Sequence, residues 1–236
     1  MTRAPPGLPG ASRLRAVPVE GQIWLIVGDV PTDRYSTERI EHGLADLDWL
    51  STCGLAHEAV VEHFMKGAAL VPLKMFTIFA TEDRAIAHVR RRRGHLERLM
   101  ERVADCREWG VRLVRDRVGA PTTDAGRDRP RSGAEFLQSK RRARTTAQAL
   151  SAADRRAAEQ AHRTLRRHAR AATRREREPG WSGRSAPLLH AAYLVEGTGA
   201  RFRSAARQLA REASAKGYRV TVTGPWPPYH FVGSKR

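Results

Sequence analysis

Residues 188–195 read LLHAAYLV, an apolar run with one polar residue that predicts a strand. A helix is predicted directly after it, over Gly199 to Lys216, and a second strand follows over Tyr218 to Thr223. Earlier in the chain, Trp109 to Val114 alternates between apolar and polar side chains, which is typical of a half-buried strand. Strands separated by helices favour a mixed α+β fold.

The first part of the chain predicts a strand followed by two helices. Gln22 to Val30 is a compact β-branched and aromatic run, as expected of a buried strand. The hydroxyl of Ser36 can accept the free amide hydrogens of a helix start. The apolar stripe of that helix is formed by Ile40, Leu44, Leu47 and Leu50. A second helix is predicted from about Leu55 to Lys66, with Gly67 as its C-cap.

A strand and a third helix are predicted next. Leu70 to Phe79 reads as a strand, and Pro72 places it at a sheet edge or at the start of a strand, because proline has no amide hydrogen to donate. Thr81 begins a helix with acidic residues in its first turn, where the helix dipole favours them. This helix is predicted to continue to about Cys106.

The middle of the chain is the most lopsided in composition. Gly119 to Ser132 has no periodicity and predicts a loop. The segment 134–178 is rich in alanine and arginine and has no glycine or proline, so it predicts helix, either as one long helix or as two that meet near Leu150.

Positive charge dominates the surface chemistry of the chain. Its 236 residues include 43 Lys+Arg and 25 Asp+Glu, a net charge of +18, and about half of that excess lies between Asp124 and Glu178. A basic protein gains affinity for nucleic acid through counterion release, so the run Arg90 to Arg93 is a candidate phosphate-binding patch. No RNA-recognition signature or zinc finger accompanies it, and solvated helix arginines are the alternative interpretation.

Several other classes of protein find no support in the sequence. The longest strongly apolar run, Ile23 to Val27, is far shorter than the roughly 18 residues that a membrane span needs. Cys53, His57 and His63 do not have the spacing of a metal site on a helix, and Cys106 is isolated. Neither a phosphate-binding loop nor a nucleophile-elbow motif is present, so we predict no enzyme activity, no cofactor and no metal.

The C-terminal tail is the most informative segment. It reads Thr-Gly-Pro-Trp-Pro-Pro-Tyr-His-Phe over residues 223–231, where prolines hold the chain extended and present Trp226, Tyr229 and Phe231 as anchors. Two interpretations are open: the tail packs over the core of its own domain, or it forms a strip that binds a partner.

The tail resembles the C-terminal signature of the GvpL/GvpF family of gas vesicle proteins. The residues that carry this resemblance are Gly224, Pro225, Trp226, Pro227, Pro228, Tyr229 and Phe231. Three further stretches are similar to the family's motifs in order and spacing: residues 71–79, the strand entry at Glu108, Trp109 and Gly110, and the helix start at residues 133–137. The similarity extends from about Val17 to Val232. One departure is that the family usually begins with a short aromatic-rich strand, whereas this chain begins with Pro- and Gly-rich residues.

The resemblance implies two α+β domains and a role in gas vesicle formation. We expect a disordered or linker-like start over 1–13, a ferredoxin-like N-terminal domain over 14–107 that could lack its first strand, and a C-terminal α+β domain with long helices over 108–236. The expected function is that of a cytoplasmic accessory protein, associated with the gas vesicle, that binds the major shell protein and other accessory proteins. The candidate contact residues are Pro72, Phe76, Phe79, Trp226, Tyr229 and Phe231.

Two alternatives belong to other classes of protein. One is a basic nucleic-acid-binding protein, which would show tight binding at physiological salt. The other is an oligomeric scaffold that uses the alanine-rich helices as a coiled coil, which would show in sedimentation.

Overall fold

The computed structural model describes residues 4–65, 69–116, 152–175 and 187–233, and the chain divides into two compact units. Unit 1 consists of Met1–Cys106 together with Trp226–Arg236, and unit 2 consists of Arg107–Pro225. The predicted α+β class is confirmed. The tail, which we placed in a domain over 108–236, instead belongs to unit 1.

Unit 1 begins with a β-hairpin. Strand β1 (Arg15–Glu20) pairs antiparallel with strand β2 (Ile23–Val27), and Gly21 turns the chain between them with a φ of 58°. Side chains on one face of the hairpin, including Val19 and Ile23, pack with Val89 in a small apolar core. The predicted strand over 22–30 is therefore present in shortened form.

The start of the chain is more ordered than we predicted. Residues 4–13 do not form a frayed linker: the amide of Ala11 donates to the carbonyl of Leu8 at 2.8 Å, and the amide of Ser12 donates to the carbonyl of Asp29 at 2.8 Å. Strand β1 follows directly and contains no aromatic residue, so the absence of the family's aromatic-rich first strand stays a prediction. The sequence concealed β1 because Pro18 interrupts it.

Three helices follow the hairpin: α1 (Thr32–Tyr35), α2 (Thr37–Gly43) and α3 (Leu47–Phe64). The predicted start at Ser36 is confirmed, since its hydroxyl accepts from the amide of Arg39 at 3.3 Å. The predicted boundary between the helices is wrong. Helix α3 starts at Leu47 because the Asp46 carboxylate accepts from the amides at the start of the helix. The predicted C-cap Gly67 lies outside the described residues.

The segment between α3 and the next helix is irregular where we predicted a strand. Residues 69–80 contain no strand, and a turn closes at Thr77, whose amide and hydroxyl both donate to the carbonyl of Lys74, at 3.1 and 2.6 Å. A chain that turns back in this way cannot present the row of amides and carbonyls that strand pairing requires.

Two further helices complete the first part of unit 1. Helix α4 (Glu82–Arg91) begins as predicted at Thr81, whose hydroxyl accepts from the amide of Arg84 at 3.3 Å. The chain breaks at Arg92, and helix α5 (Arg93–Val103) continues in place of the single long helix that we predicted.

Over its described residues, unit 2 is a four-stranded sheet with two helices. Its described elements are β3 (Cys106–Arg115), α6 (152–166), β4 (Ala171–Arg174), β5 (Leu189–Glu196), α7 (Ala200–Ser214) and β6 (Tyr218–Trp226). The strand order is β4-β5-β3-β6, and β4 pairs antiparallel with β5. A last short helix, α8 (Tyr229–Val232), follows β6 and belongs to unit 1.

One core joins the sheet of unit 2 to its two helices. Alternate residues of β3 and β5 point into it, and among its fully buried side chains are Leu165 of α6, Tyr193 of β5 and Phe202 of α7. The predicted strands and helix over 109–114, 188–195, 199–216 and 218–223 are confirmed with shifts of a few residues at their ends.

Two predictions about this part of the fold are wrong. The β-α-β-β-α-β order of a ferredoxin-like motif occurs in unit 2, whereas the described residues of the N-terminal unit 1 contain only the two-stranded β1–β2 sheet. Within the predicted helix 134–178, residues 152–166 are helical but Ala171–Arg174 form β4, because pairing with β5 outweighs the helix preference of alanine. Residues 134–151 and 176–178 of that segment, and the predicted loop 119–132, lie outside the described residues.

Candidate protein-interaction surfaces

The irregular segment 69–80 is fastened to unit 1 by an aromatic cluster. The ring of Phe76 stacks on Trp49 of α3, with centroids 5.2 Å apart and planes 13° from parallel, and both rings lie near Tyr35. Phe76 has a φ of 61°, a left-handed conformation that a bulky residue adopts only when its surroundings hold it there. Phe76 therefore anchors the segment.

Some of the other apolar residues of the same segment pack against unit 1, and others are exposed to solvent. Pro72 and Phe79 are half-buried, and the Phe79 ring lies 5.2 Å from the ring of His88. Leu73 and Ile78 are exposed. Leu73 and Ile78 are therefore large apolar side chains that the segment presents to solvent. The sequence did not single them out, because both were assigned only to a strand.

The aromatic cluster also contains the Tyr35 hydroxyl and lies beside the Cys53 thiol, two types of group that are reactive in some active sites. The Tyr35 hydroxyl donates to the carbonyl of Pro9 at 2.8 Å, and burial, with Cys53 nearby, raises the pKa of Tyr35 to about 12. Burial likewise raises the pKa of the Cys53 thiol. A thiol that stays protonated is a poor nucleophile, so this cluster has a packing role.

The tail is docked on unit 1 by several of its side chains. The Tyr229 hydroxyl donates to Glu58 Oε2 of α3 at 2.5 Å, and the guanidinium of Arg102 lies 5.8 Å from the centre of the Phe231 ring. Pro227, Pro228 and Phe231 are buried. The sequence left open whether the tail packs over the protein's own core or forms a strip that binds a partner. Pro227, Pro228 and Phe231 pack over the protein's own core.

Trp226 differs from the rest of the tail because it is 40% exposed. The peptide between Gly224 and Pro225, just before it, is cis. Of the three aromatic side chains proposed as anchors, Trp226 is the most exposed to solvent.

The signature residues of β3 have packing roles in unit 2. Glu108 and Trp109 are buried, and the Trp109 ring lies 6.1 Å from Phe202. Gly110 lies where β3 and β6 approach closely, since a Cβ on it would lie 2.6 Å from the Thr223 hydroxyl oxygen. These residues of the family pattern therefore shape the core.

The arginine run 90–93 is divided between two helices and partly used within unit 1. Arg90 donates to the carbonyl of Val19 at 3.3 Å, and Arg93 forms ion pairs with Glu20 at 2.5 Å and Glu97 at 2.8 Å. Because Arg92 interrupts the helix, the four guanidinium groups do not lie on one continuous helical surface.

Sequence reasoning missed the exposed leucines of α2 and α3. Leu44 and Leu47 were assigned to a core stripe and Leu55 to the start of a helix, yet all three are exposed. The signal that could have revealed them is Asp46. An N-cap at that position starts a new helix at Leu47, so Leu44 and Leu47 do not belong to one continuous apolar stripe.

The described residues give no indication of a metal site or a membrane span. Within 4–65, 69–116, 152–175 and 187–233, no group of three His, Cys, Asp or Glu side chains is arranged to hold a metal ion. Over the same residues, no helix has both the length and the apolarity that crossing a bilayer requires.

The fold is similar to that of solved gas vesicle proteins. The crystal structure of GvpF from Anabaena sp. PCC7120 matches with a TM-score of 0.67 at 13% sequence identity, over 99% of this chain and 94% of that one. GvpF from Microcystis aeruginosa matches with a TM-score of 0.65 at 14% identity, over 98% and 96% of the two chains. The structure thus has the α+β fold of a gas vesicle protein.

Sequence comparison identifies the family. The family model described as gas vesicle synthesis protein GvpL/GvpF matches residues 2–233. Gas vesicle protein L of Streptomyces sp. (strain CB03234) is 30% identical over 225 residues, which are 90% of this chain and 81% of that protein. The chain belongs to the GvpL/GvpF family of gas vesicle proteins, as the sequence motifs predicted.

Proposed function

We propose that this protein is a non-catalytic accessory component that binds the major gas vesicle shell protein in the cytoplasm during vesicle formation. Membership of the GvpL/GvpF family supports this role. A shell that keeps water out of a gas space needs strongly apolar subunits, and such subunits need partners that cover their apolar surface before assembly. Other accessory proteins of the same vesicle are further candidate partners.

The observation that carries the proposal is the exposure of large apolar side chains in the two segments that resemble family motifs. Leu73 and Ile78 are exposed in the irregular segment of unit 1, and Trp226 is exposed at the start of the tail. Their neighbours Phe76 and Tyr229 hold these segments to unit 1 through the Trp49 stack and the Glu58 hydrogen bond. Half-buried anchors beside exposed apolar side chains make a preorganised contact surface, which lowers the entropic cost of binding.

Co-purification with the shell protein tests this function. We expect the tagged wild-type protein to retain the shell protein, and the variant with Trp226→Ala, Leu73→Ser and Ile78→Ser to lose most of it. Trp24→Ser is the matched control, because Trp24 is also exposed but lies on β2. Failure of the wild-type protein to retain any shell protein would overturn the proposed function.

Tyr229 needs a separate pair of variants because it both docks the tail and carries an aromatic ring. Tyr229→Phe keeps the ring and removes the hydroxyl that donates to Glu58, whereas Tyr229→Ala removes both. If Tyr229 acts only by holding the tail to unit 1 through its hydroxyl, both variants should weaken retention of the shell protein. Unchanged retention in the Trp226→Ala, Tyr229→Ala variant would exclude the tail from the contact surface.

A further inference from the structure

Helix α3 has one exposed face on which large and small side chains alternate. Residues four apart lie on the same side of a helix, and Leu47, Ser51, Leu55 and Ala59 form such a row. All four are exposed, Leu47 to 78% and Leu55 to 71%. We call this row the α3 ridge. Single exposed leucines are common on protein surfaces, but two on one ridge, with the exposed Leu44 just before the helix, form a stripe.

The geometry of the α3 ridge suits another helix. Rows of residues four apart are the ridges that fit into the grooves of a facing helix. Ser51 and Ala59 leave depressions beside Leu47 and Leu55, so apolar side chains of a partner helix can enter between the leucines. The inner face of α3 is already used, because Cys53 and Val61 are buried in unit 1.

Acidic side chains surround the ridge. Residues 32–65 contain seven Asp and Glu against two Arg, whereas the whole chain has 43 Lys+Arg against 25 Asp+Glu. Asp48 and Glu62 are exposed on the same side of α3 as the leucines, and Asp46 and Glu41 are exposed beside Leu44. The stripe therefore lies in an acidic part of a strongly basic protein, and the potential there favours a cationic partner.

We infer that the α3 ridge docks an amphipathic helix of another protein whose apolar face is flanked by lysine or arginine. Its apolar side chains pack between Leu47 and Leu55, and its basic flanks lie against Asp48 and Glu62. This binding is independent of the proposed contact with the shell protein, which uses the segment 69–80 and Trp226.

A synthetic peptide tests this inference directly. The probe is a labelled 18-residue helix with leucines three and four positions apart and lysines on either side, and its matched counterpart has glutamates in place of the lysines. We expect the full-length protein to bind the lysine peptide, measured by fluorescence anisotropy, and to bind the glutamate peptide at least about tenfold more weakly. Equal binding of the two peptides would overturn the charge complementarity.

Variants of the protein locate the binding site. Leu47→Ser with Leu55→Ser should weaken binding of the lysine peptide by about tenfold or more, because the apolar area buried against the probe is lost. Asp48→Asn with Glu62→Gln should weaken it less and reduce its dependence on salt. The exposed Trp24 of β2 provides the control, and Trp24→Ser should bind as the wild type does. Unchanged binding by the double leucine variant would overturn the inference.

A second copy of this chain is the competing occupant, and sedimentation decides between the two. The wild-type protein and the double leucine variant should sediment identically at micromolar concentration. If the wild type is an oligomer and the variant a monomer, the ridge is an interface between copies, which overturns docking of a separate basic helix. These outcomes do not depend on whether the protein retains the shell protein.

Discussion

Gly110 lies at a close approach between β3 and β6 that leaves no room for a larger side chain. A Cβ at this position would lie 2.6 Å from the hydroxyl oxygen of Thr223. We predict that Gly110→Ala lowers the free energy of unfolding by about 1–3 kcal/mol, because the Thr223 side chain or one of the two strands must shift. Urea unfolding followed by circular dichroism measures this change.

Two further variants separate this clash from a general effect of adding a methyl group. Gly54 lies in α3, and no side chain or neighbouring element comes within 4 Å of where an added methyl group would lie, so Gly54→Ala should stabilise the protein by about 0.5–1 kcal/mol. Adding Thr223→Ala to Gly110→Ala should restore part of the loss, as a double-mutant cycle would show. If Gly110→Ala unfolds at the same urea concentration as the wild type, the close approach has no energetic importance.

His162 makes the stability of unit 2 depend on pH. Its Nδ1 lies 2.9 Å from the Tyr193 hydroxyl oxygen, and burial, with Arg174 and Arg166 nearby, lowers the pKa of His162 although Glu159 opposes this shift. The unfolded chain therefore binds more protons than the folded chain just below the ordinary histidine pKa of about 6.5. Because excess proton binding favours the unfolded state, the contribution of His162 is fully present above pH 6.5 and decreases as the pH falls.

A neutral replacement isolates this contribution. We expect His162→Gln to lose stability less steeply than the wild type between about pH 7 and pH 5.5, in urea unfolding at each pH. Parallel curves for the two proteins would show that His162 does not contribute to the pH dependence.

At the scale of elements, Asp46 determines where α3 begins. Its carboxylate accepts from the amides of Asp48 at 3.0 Å and Trp49 at 3.1 Å. We predict that Asp46→Ala lowers the free energy of unfolding by about 1 kcal/mol, because these amides lose their acceptor. Thermal unfolding measures the loss. Asp48→Ala should cost less, because that side chain contributes only its charge near the helix start, and an equal loss for both would contradict the capping role of Asp46.

Local signals explain which elements the sequence predicted correctly. Ser36 and Thr81 cap helices through hydrogen bonds to amides three residues away, so a short stretch of sequence contains everything needed to recognise them. The strands of unit 2 were also recognisable, because β3 and β5 have apolar residues whose pattern reflects burial. Periodicity failed at Leu44 and Leu47, where one apparent stripe crosses the turn at Asp46.

Contacts between distant residues explain what the sequence could not provide. Phe76 keeps its left-handed conformation against Trp49 of another element, so an apolar segment that reads as a strand becomes a turn. The tail's binding partner within the protein is Glu58, which is 171 residues away from Tyr229. The motifs therefore identified the family, but they could not tell which aromatic side chains are held in contacts and which are exposed.

At the scale of the whole molecule, part of the positive charge is used internally. Arg15 pairs with both Asp29 and Glu82 at 2.8 Å, and Arg174 pairs with Glu159 at 2.6 Å, which lowers the pKa of Glu159. These pairs are solvent-exposed, so they are worth little in stability. We expect the remaining excess of arginine to oppose self-association of the protein through charge repulsion.

This charge predicts weak and unselective binding of nucleic acid. We expect filter binding to two DNA duplexes of unrelated sequence to give equal affinities that fall steeply with salt and are negligible at about 0.2 M, since counterion release supplies the affinity. Tight binding to one duplex at physiological salt would contradict this expectation and favour a nucleic-acid-binding function.

Unit 2 is inserted within the chain of unit 1, so the order of translation decides which unit can fold first. Unit 1 needs residues from Trp226 onward, and these leave the ribosome after all of unit 2 has been translated. Until then, Glu58 lacks its hydrogen bond from Tyr229. The core of unit 1 also lacks the side chains of Phe231 and Val232, which are buried in the finished fold. Unit 2 can complete its core first, whereas the unit that carries the exposed apolar side chains reaches its final form only at the end of translation.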